Sequence, residues 1–309
     1  MDETEHGGSL MEVDLPKLRK LAKLEELLIS HDIFYLQNTF SKQLKHHCEY
    51  ALRSDGERID IITSDLISED RGRSNESLGI IDSYINILLR RGVGVEDVEA
   101  TCELAKLAHD RVLVKLPVAG NVESGELYVQ DLRVADVIEF HSDHGTSFTI
   151  KSQLEDIATG LELSKLTGLS VKPGTEPNYS CIFQIRDDDK IRPQEIMDVL
   201  GYSSKEVSIA SDLYDAFYSH DKEGYYASIG LHGSEKDPVV KFDYPNIDIQ
   251  IATEKISQFI KDDSCEQIRN QGSILGYRII DYFGTVFFKS GSIESRSYYD
   301  MRHHVETRQ

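Results

Sequence analysis

From residue 111 onward the chain keeps returning to one pattern: a short run of period two, a turn, a second such run, then stretches of helical spacing. Val112, Val114 and Leu116 alternate with Arg111, Leu113 and Lys115, and Leu127 and Val129 alternate with Glu126, Tyr128 and Gln130. Ala227, Ile229 and Leu231 alternate with Tyr226, Ser228 and Gly230, while Val240, Phe242 and Tyr244 flank Lys241 and Asp243. Successive side chains of a strand point to opposite faces, so each run predicts a strand with one apolar and one polar face.

Five hairpins are predicted. The first joins 49–54 to 57–63 across Asp55-Gly56, a dipeptide suited to the tight turn between two strands. The others join 111–117 to 126–131, 169–172 to 178–186, 225–232 to 238–244, and 285–289 to 293–300. Helical spacing covers 15–29 and 33–47 before the first hairpin. Between hairpins it covers 77–90, 95–109, 134–140, 151–166, 193–200, 204–218 and 249–260. The apolar segment 274–282 reads as an extra strand or a lead-in to the last hairpin. Residues 1–12 read as a flexible acidic leader, 13–302 as one domain, and 303–309 as a polar tail.

Two architectures satisfy this pattern. One is an open antiparallel sheet with helices on its apolar face and its polar face in water. The other is an α/β fold in which the ten strands form a closed antiparallel barrel, with helices outside and the polar faces around a chamber. Closure removes the edge strands that an open sheet must protect, and ten strands make a barrel wide enough to hold a ligand.

Composition narrows the partners. The 309 residues carry 34 Lys and Arg against 54 Asp and Glu, a formal net charge of −20. That excess argues against nucleic acid or an anionic membrane as a partner, although a small anion can still be held in an enclosed basic pocket. The acidic N-terminus lacks the apolar region of a signal peptide, and no apolar run is long enough for a membrane span, so a cytoplasmic setting is expected. Cys48, Cys102, Cys181 and Cys265 are widely spaced with no CxxC pair, which predicts neither zinc nor a disulfide framework.

The succession of five αββα-like units resembles the ABBA fold, or PT barrel, of the soluble aromatic prenyltransferases. The resemblance is one of layout and runs from about Leu15 to Asp300. Locally, FYLQNTFSKQLKHHCEYALRSDGERIDI (Phe34–Ile61) is similar to the helix and first hairpin of the bacterial members. GTVFFKSGSIESRSYYD (Gly284–Asp300) is similar to their last hairpin, with its basic residue followed by a Tyr-Tyr pair. Repeats rich in βαβ units also occur in pentein-type folds, so element counting leaves both open.

The resemblance implies transfer of a prenyl group from an allylic isoprenoid diphosphate to an aromatic small molecule. It implies Lys and Arg on the strands around the diphosphate, and tyrosines beside the prenyl chain. On the polar faces the basic candidates are Arg53, Arg58, Lys115 and Lys172 in the first three hairpins, then Lys241, Lys289 and Arg296. Tyr128, Tyr226 and Tyr298 are the candidates for the prenyl and acceptor pocket, with Asp60 and Tyr298 as catalytic candidates and no metal ligand. The family concentrates its basic residues on the second strands of the second and third hairpins, whereas here Lys115 and Lys172 stand on the first strands. The DDxxD motif of helical prenyl synthases is missing, and Asp187-Asp188-Asp189 reads as a solvated turn. The implied cofactor is therefore none, or a weak Mg²⁺ dependence, and a monomer is expected.

Other chemistries have less support. There is no phosphate-binding loop ending in Lys-Ser or Lys-Thr, and no HExxH. A thiol mechanism at Cys265 is disfavoured by Asp262 and Asp263, which would hold the thiol protonated. The alternative to an enzyme is a non-catalytic α+β protein that binds a ligand or partner, its basic residues being ordinary surface charges.

Overall fold

In the computed structural model the described residues are 48–53, 59–66, 77–107, 111–119, 125–143, 148–163, 165–172, 178–185, 191–218, 224–231, 237–260 and 262–300. They contain the strands β1 (Cys48–Arg53), β2 (Ile59–Leu66), β3 (Arg111–Ala119), β4 (Glu126–Arg133) and β5 (Lys165–Lys172). These are followed by β6 (Asn178–Ile185), β7 (Tyr225–Leu231), β8 (Val239–Asp248), β9 (Ile279–Phe287) and β10 (Ile293–Asp300). The helices are α1 (Ser77–Arg90), α2 (Val95–Ala105), α3 (Val134–Asp143), α4 (Phe148–Gly160), α5 (Pro193–Val199), α6 (Ser204–Tyr218), α7 (Ile249–Ile256) and α8 (Asp262–Leu275). The expected leader, the two helices over 15–47, Arg58 and the polar tail lie outside the described residues.

Each strand pairs antiparallel with two neighbours, in the order β1-β10-β9-β8-β7-β6-β5-β4-β3-β2. The circuit is completed by β1, which pairs Ala51 with Tyr298 on one side and with Asp60 on the other. No strand on this circuit is left with an unpaired edge.

Alternation decides what each face does. Val114, Leu127, Leu169, Ile229, Phe242 and Phe287 turn outward and are buried beneath the helices. Phe217 of α6 packs against Tyr244 and Phe283, with ring centroids 5.1 and 5.4 Å apart. Aromatic side chains in such packing each contribute roughly 1.5–3 kcal/mol through burial. Tyr202 adds a polar tie, donating to Pro238 O and accepting from Val240 N.

Two segments differ from the sequence reading. The expected helix over 151–166 ends at Gly160, Glu162 takes φ = 54°, and the chain enters β5, where Leu166 pairs with Leu132. Cross-strand pairing overrides the helical spacing there. Helix α8 is the second difference: its stripe of Cys265, Ile268, Gln271 and Leu275 is buried, but its polar composition hides that period. The segment 274–282 therefore splits, with the end of α8 at Leu275, a turn at Gly276 (φ = 81°), and the start of β9 at Ile279.

Among the described cysteines, Cys102 and Cys181 are free thiols, and burial pushes the Cys181 thiol up to about 12. Among the described residues no helix is long and apolar enough to cross a membrane.

Candidate active site

The inward parity can be followed around the barrel. Ala51 and Arg53 of β1, Asp60 and Ile62 of β2, and Leu113 and Lys115 of β3 line a central cavity of about 410 Å³. Glu126, Tyr128 and Gln130 of β4, Lys172 of β5, and Ser180 and Ile182 of β6 continue it. Tyr226 and Ser228, Lys241 and Asp243, Tyr282 and Val286, and Arg296 and Tyr298 complete it from β7 to β10. The volume falls in the range, roughly 300–1,000 Å³, of small-molecule sites.

The charges divide between two walls. On β2–β4, Lys115 is 7% exposed and stands 3.4 Å from Asp60 Oδ2 and 3.8 Å from Glu126 Oε2. Ser170 donates to Glu126 Oε1 at 2.8 Å, and the Tyr128 hydroxyl is hydrogen-bonded to the same carboxylate. Burial pushes the Glu126 carboxyl up, but Lys115, the bonds from Tyr128 and Ser170, and Lys172 outweigh it and hold the group below its ordinary value. Tyr128 is held well above the usual phenol value, first by burial and then by Glu126, so it remains a hydrogen-bond donor.

On β8–β1 the balance is more basic. Lys241 Nζ lies 2.6 Å from Asp243 Oδ2 and donates to the Tyr298 hydroxyl at 2.7 Å. Burial works against the Lys241 charge, but Asp243 and Tyr298 outweigh it and hold the ammonium above the ordinary lysine value. Arg296 sits beside Arg53 in register, and Arg53 is tied to Glu294 at 3.0 Å. The Nε of Arg296 is buried with no hydrogen-bond partner. Between Asp243 and Arg296 the partner on β9 is Gly284, where a Cβ would come within 2.5 Å of Asp243 Oδ1. The glycine makes room for the charged side chains on either side.

Of the expected site residues, Arg53, Asp60, Lys115, Lys172, Lys241, Arg296, Tyr128, Tyr226 and Tyr298 are brought together around this cavity. Lys289 is a correction. It lies beyond the end of β9 and donates to the carbonyls of Leu200 and Gly201, with its Nζ 4.6 Å from the centre of the Tyr202 ring. Its parity is that of Phe283 and Phe287, the outward residues of β9, so alternation directs it away from the chamber.

The sequence reading gives no site role to Glu126, Gln130, Asp243 or Tyr282. Glu126 and Gln130 share the parity of Tyr128, which was signal enough. Tyr282 was hidden because the segment before Gly284 had no assigned register, although Tyr282, Gly284 and Val286 alternate with Phe283, Thr285 and Phe287. Tyr282 meets Tyr226 edge to face at 5.5 Å. Among the described residues, no group of three or more His, Cys, Asp or Glu side chains is arranged to hold a metal ion.

No family model and no curated protein matches the sequence. Solved structures do. The chain is similar to 5-dimethylallyltryptophan synthase from Streptomyces coelicolor, with a TM-score of 0.62 and 10% identity over 92% of this chain and 94% of that one. NotF prenyltransferase gives a TM-score of 0.65 and 10% identity over 94% of this chain and 92% of its own. The 6-dimethylallyltryptophan synthase from Micromonospora olivasterospora, in complex with DMASPP and Trp, gives 0.62 and 11% over 93% and 95%.

The fold is the PT barrel. A common layout at about one identical residue in ten means that these structures share the path of the backbone far more than their side chains. The chemistry of this PT barrel therefore has to be argued from the side chains in its own chamber.

Proposed function

We propose that the chain transfers a prenyl group from an allylic isoprenoid diphosphate to an aromatic small molecule. One observation carries the reading: five cationic side chains and four tyrosines converge on one chamber of a PT barrel. In this reading residues 13–302 act as a single catalytic barrel, closed through its ten strands, in a cytoplasmic monomer.

The bond between the prenyl C1 and the diphosphate oxygen breaks, and its electron pair leaves with the diphosphate. An electron-rich carbon or heteroatom of the acceptor forms the new bond to the prenyl group, and the proton it displaces is lost afterwards. Fixed cations aimed at the leaving group lower this barrier, because its negative charge grows as the bond opens. Arg296, Lys241 and Lys172 act there, with Arg53 beside Arg296. Lys115 contributes less net charge, because Asp60 and Glu126 offset it. Arg58 belongs to this proposed set on its sequence position alone.

Tyr128, Tyr226 and Tyr298 present ring faces beside the positive prenyl fragment, and Asp60 orients an acceptor O–H or N–H. The leaving-group charge is assigned to Lys and Arg, with Mg²⁺ at most assisting.

The test is turnover. The full chain is incubated with dimethylallyl, geranyl and farnesyl diphosphates and with indoles, phenols and naphthoquinones, and products are read by mass spectrometry. A prenylated product that falls at least about a hundredfold in Arg296→Ala supports the reading, a loss in line with removal of one preorganised donor. Neither turnover nor saturable binding of any of the three diphosphates would leave the non-catalytic binding protein as the better account.

A further inference from the structure

An anion drawn toward Lys241 and Arg296 meets a carboxylate between them. Asp243 is 7% exposed and lines the cavity, and its Oδ2 is occupied by Lys241 at 2.6 Å. Its Oδ1 is buried and has no hydrogen-bond partner. That oxygen leans over Gly284, 2.5 Å from where a side chain would begin. Arg296, whose Cβ lies 3.5 Å from the same point, has its Nε buried without a partner. An unfilled acceptor and an unfilled donor flank one glycine, and buried polar atoms of this kind call for an occupant.

The groups facing Asp243 are cationic or phenolic. Lys241 is on its own strand, Tyr226 is its register partner on β7, and Tyr282 lies on β9 beside Gly284. Arg296 and Tyr298 come from β10, with Arg53 next to Arg296 on β1. The cations favour a polyanion, but the bare Asp243 Oδ1 repels one. A single proton between the two oxygens removes that conflict and fills the empty acceptor.

We propose that Asp243 binds the anion as a carboxylic acid. One proton is taken from solvent onto Oδ1, which then donates a hydrogen bond to a phosphate oxygen. Lys241 keeps its contact with Oδ2, and the Nε–H of Arg296 donates to the same anion. The inference rests on the prenyl-diphosphate reading and adds to it that donor binding is coupled to proton uptake. The bound state holds one proton more than the free state, so affinity falls as pH rises, by up to about tenfold per pH unit.

The full chain is titrated calorimetrically with inorganic diphosphate at pH 8, in two buffers of widely different ionisation enthalpy. The dependence of the observed heat on buffer gives the protons taken up. Wild type takes up about one proton more per anion than Asp243→Asn, whose amide donates without titrating, and the variant binds more tightly at this pH, by a margin that grows up to about tenfold for each further pH unit. Uptake near zero in wild type, equal uptake in both proteins, or weaker binding by Asp243→Asn overturns the inference and leaves the prenyl-diphosphate reading standing. If wild-type protein does not bind diphosphate at all, both fall together.

Discussion

Lys241 reaches from β8 across β9 to donate a hydrogen bond to the Tyr298 hydroxyl of β10 at 2.7 Å. The bond leaves the Tyr298 proton available to a ligand, and it places the ammonium 4.7 Å from the centre of the ring. One side chain thus ties a cationic donor to an aromatic wall on the same side of the chamber.

Tyr298→Phe keeps the ring and removes this bond. Loss of one hydrogen bond to a charged group is expected to lower stability by about 1.5–3 kcal/mol, less whatever Asp243 recovers. Prenyl transfer is expected to fall by at least about tenfold if the hydroxyl also contacts the leaving group. Thermal melts and product formation read the two effects separately, and unchanged turnover would exclude the Tyr298 hydroxyl from the chemistry and leave its role to the ring.

Gly284→Ala tests the gap between Asp243 and Arg296. The new methyl would lie 2.5 Å from Asp243 Oδ1 and 3.4 Å from Lys241 Cδ, so the charged side chains must shift. Overpacking of this kind costs about 1–3 kcal/mol. Diphosphate affinity is expected to drop at least about tenfold, since fixed cation geometry is what the site supplies. A variant that binds as wild type does would show that this row of residues does not touch the anion.

Glu126 sets an acid-side dependence of stability. Its carboxyl titrates lower in the folded chain than in the unfolded one, so on acidification the unfolded state takes up the proton first. The stabilisation is present above the ordinary carboxylate value of about 4.3 and is lost as pH falls through the lower folded value. Melting temperature is expected to fall below about pH 5, and Glu126→Gln should flatten that fall. An identical pH profile in the variant would contradict the assignment.

Lys289→Ala separates the corrected residue from the site. Lys289 donates to the carbonyls of Leu200 and Gly201 just past the C-terminal end of α5, where a cation also suits the helix dipole. Truncation is expected to lower stability by roughly 1–2 kcal/mol while leaving diphosphate binding unchanged. Weakened binding at full stability would return Lys289 to the chamber.

Much of this arrangement was legible from alternation. The parity of Lys115 against Val114 and Leu116, or of Lys241 against Val240 and Phe242, assigns each side chain to a face without any coordinates. The layout from Leu15 to Asp300 was likewise enough to point to the PT barrel. Where the register of a strand was not assigned, that reasoning lost its grip: Lys289 has the outward parity of Phe283 and Phe287, and Tyr282 lies on the same strand with the inward one.

What local sequence determined is the set of strands, their apolar faces and the residues opposite them, because a period of two is a property of the extended chain itself. Tertiary structure decided which polar faces look at one another. Asp60 meets Lys115, Asp243 and Arg296 flank Gly284, and Lys241 meets Tyr298 only because strands far apart in sequence are brought into register around one chamber. Side-chain partners across a sheet are fixed by pairing and closure, and no single strand carries that information.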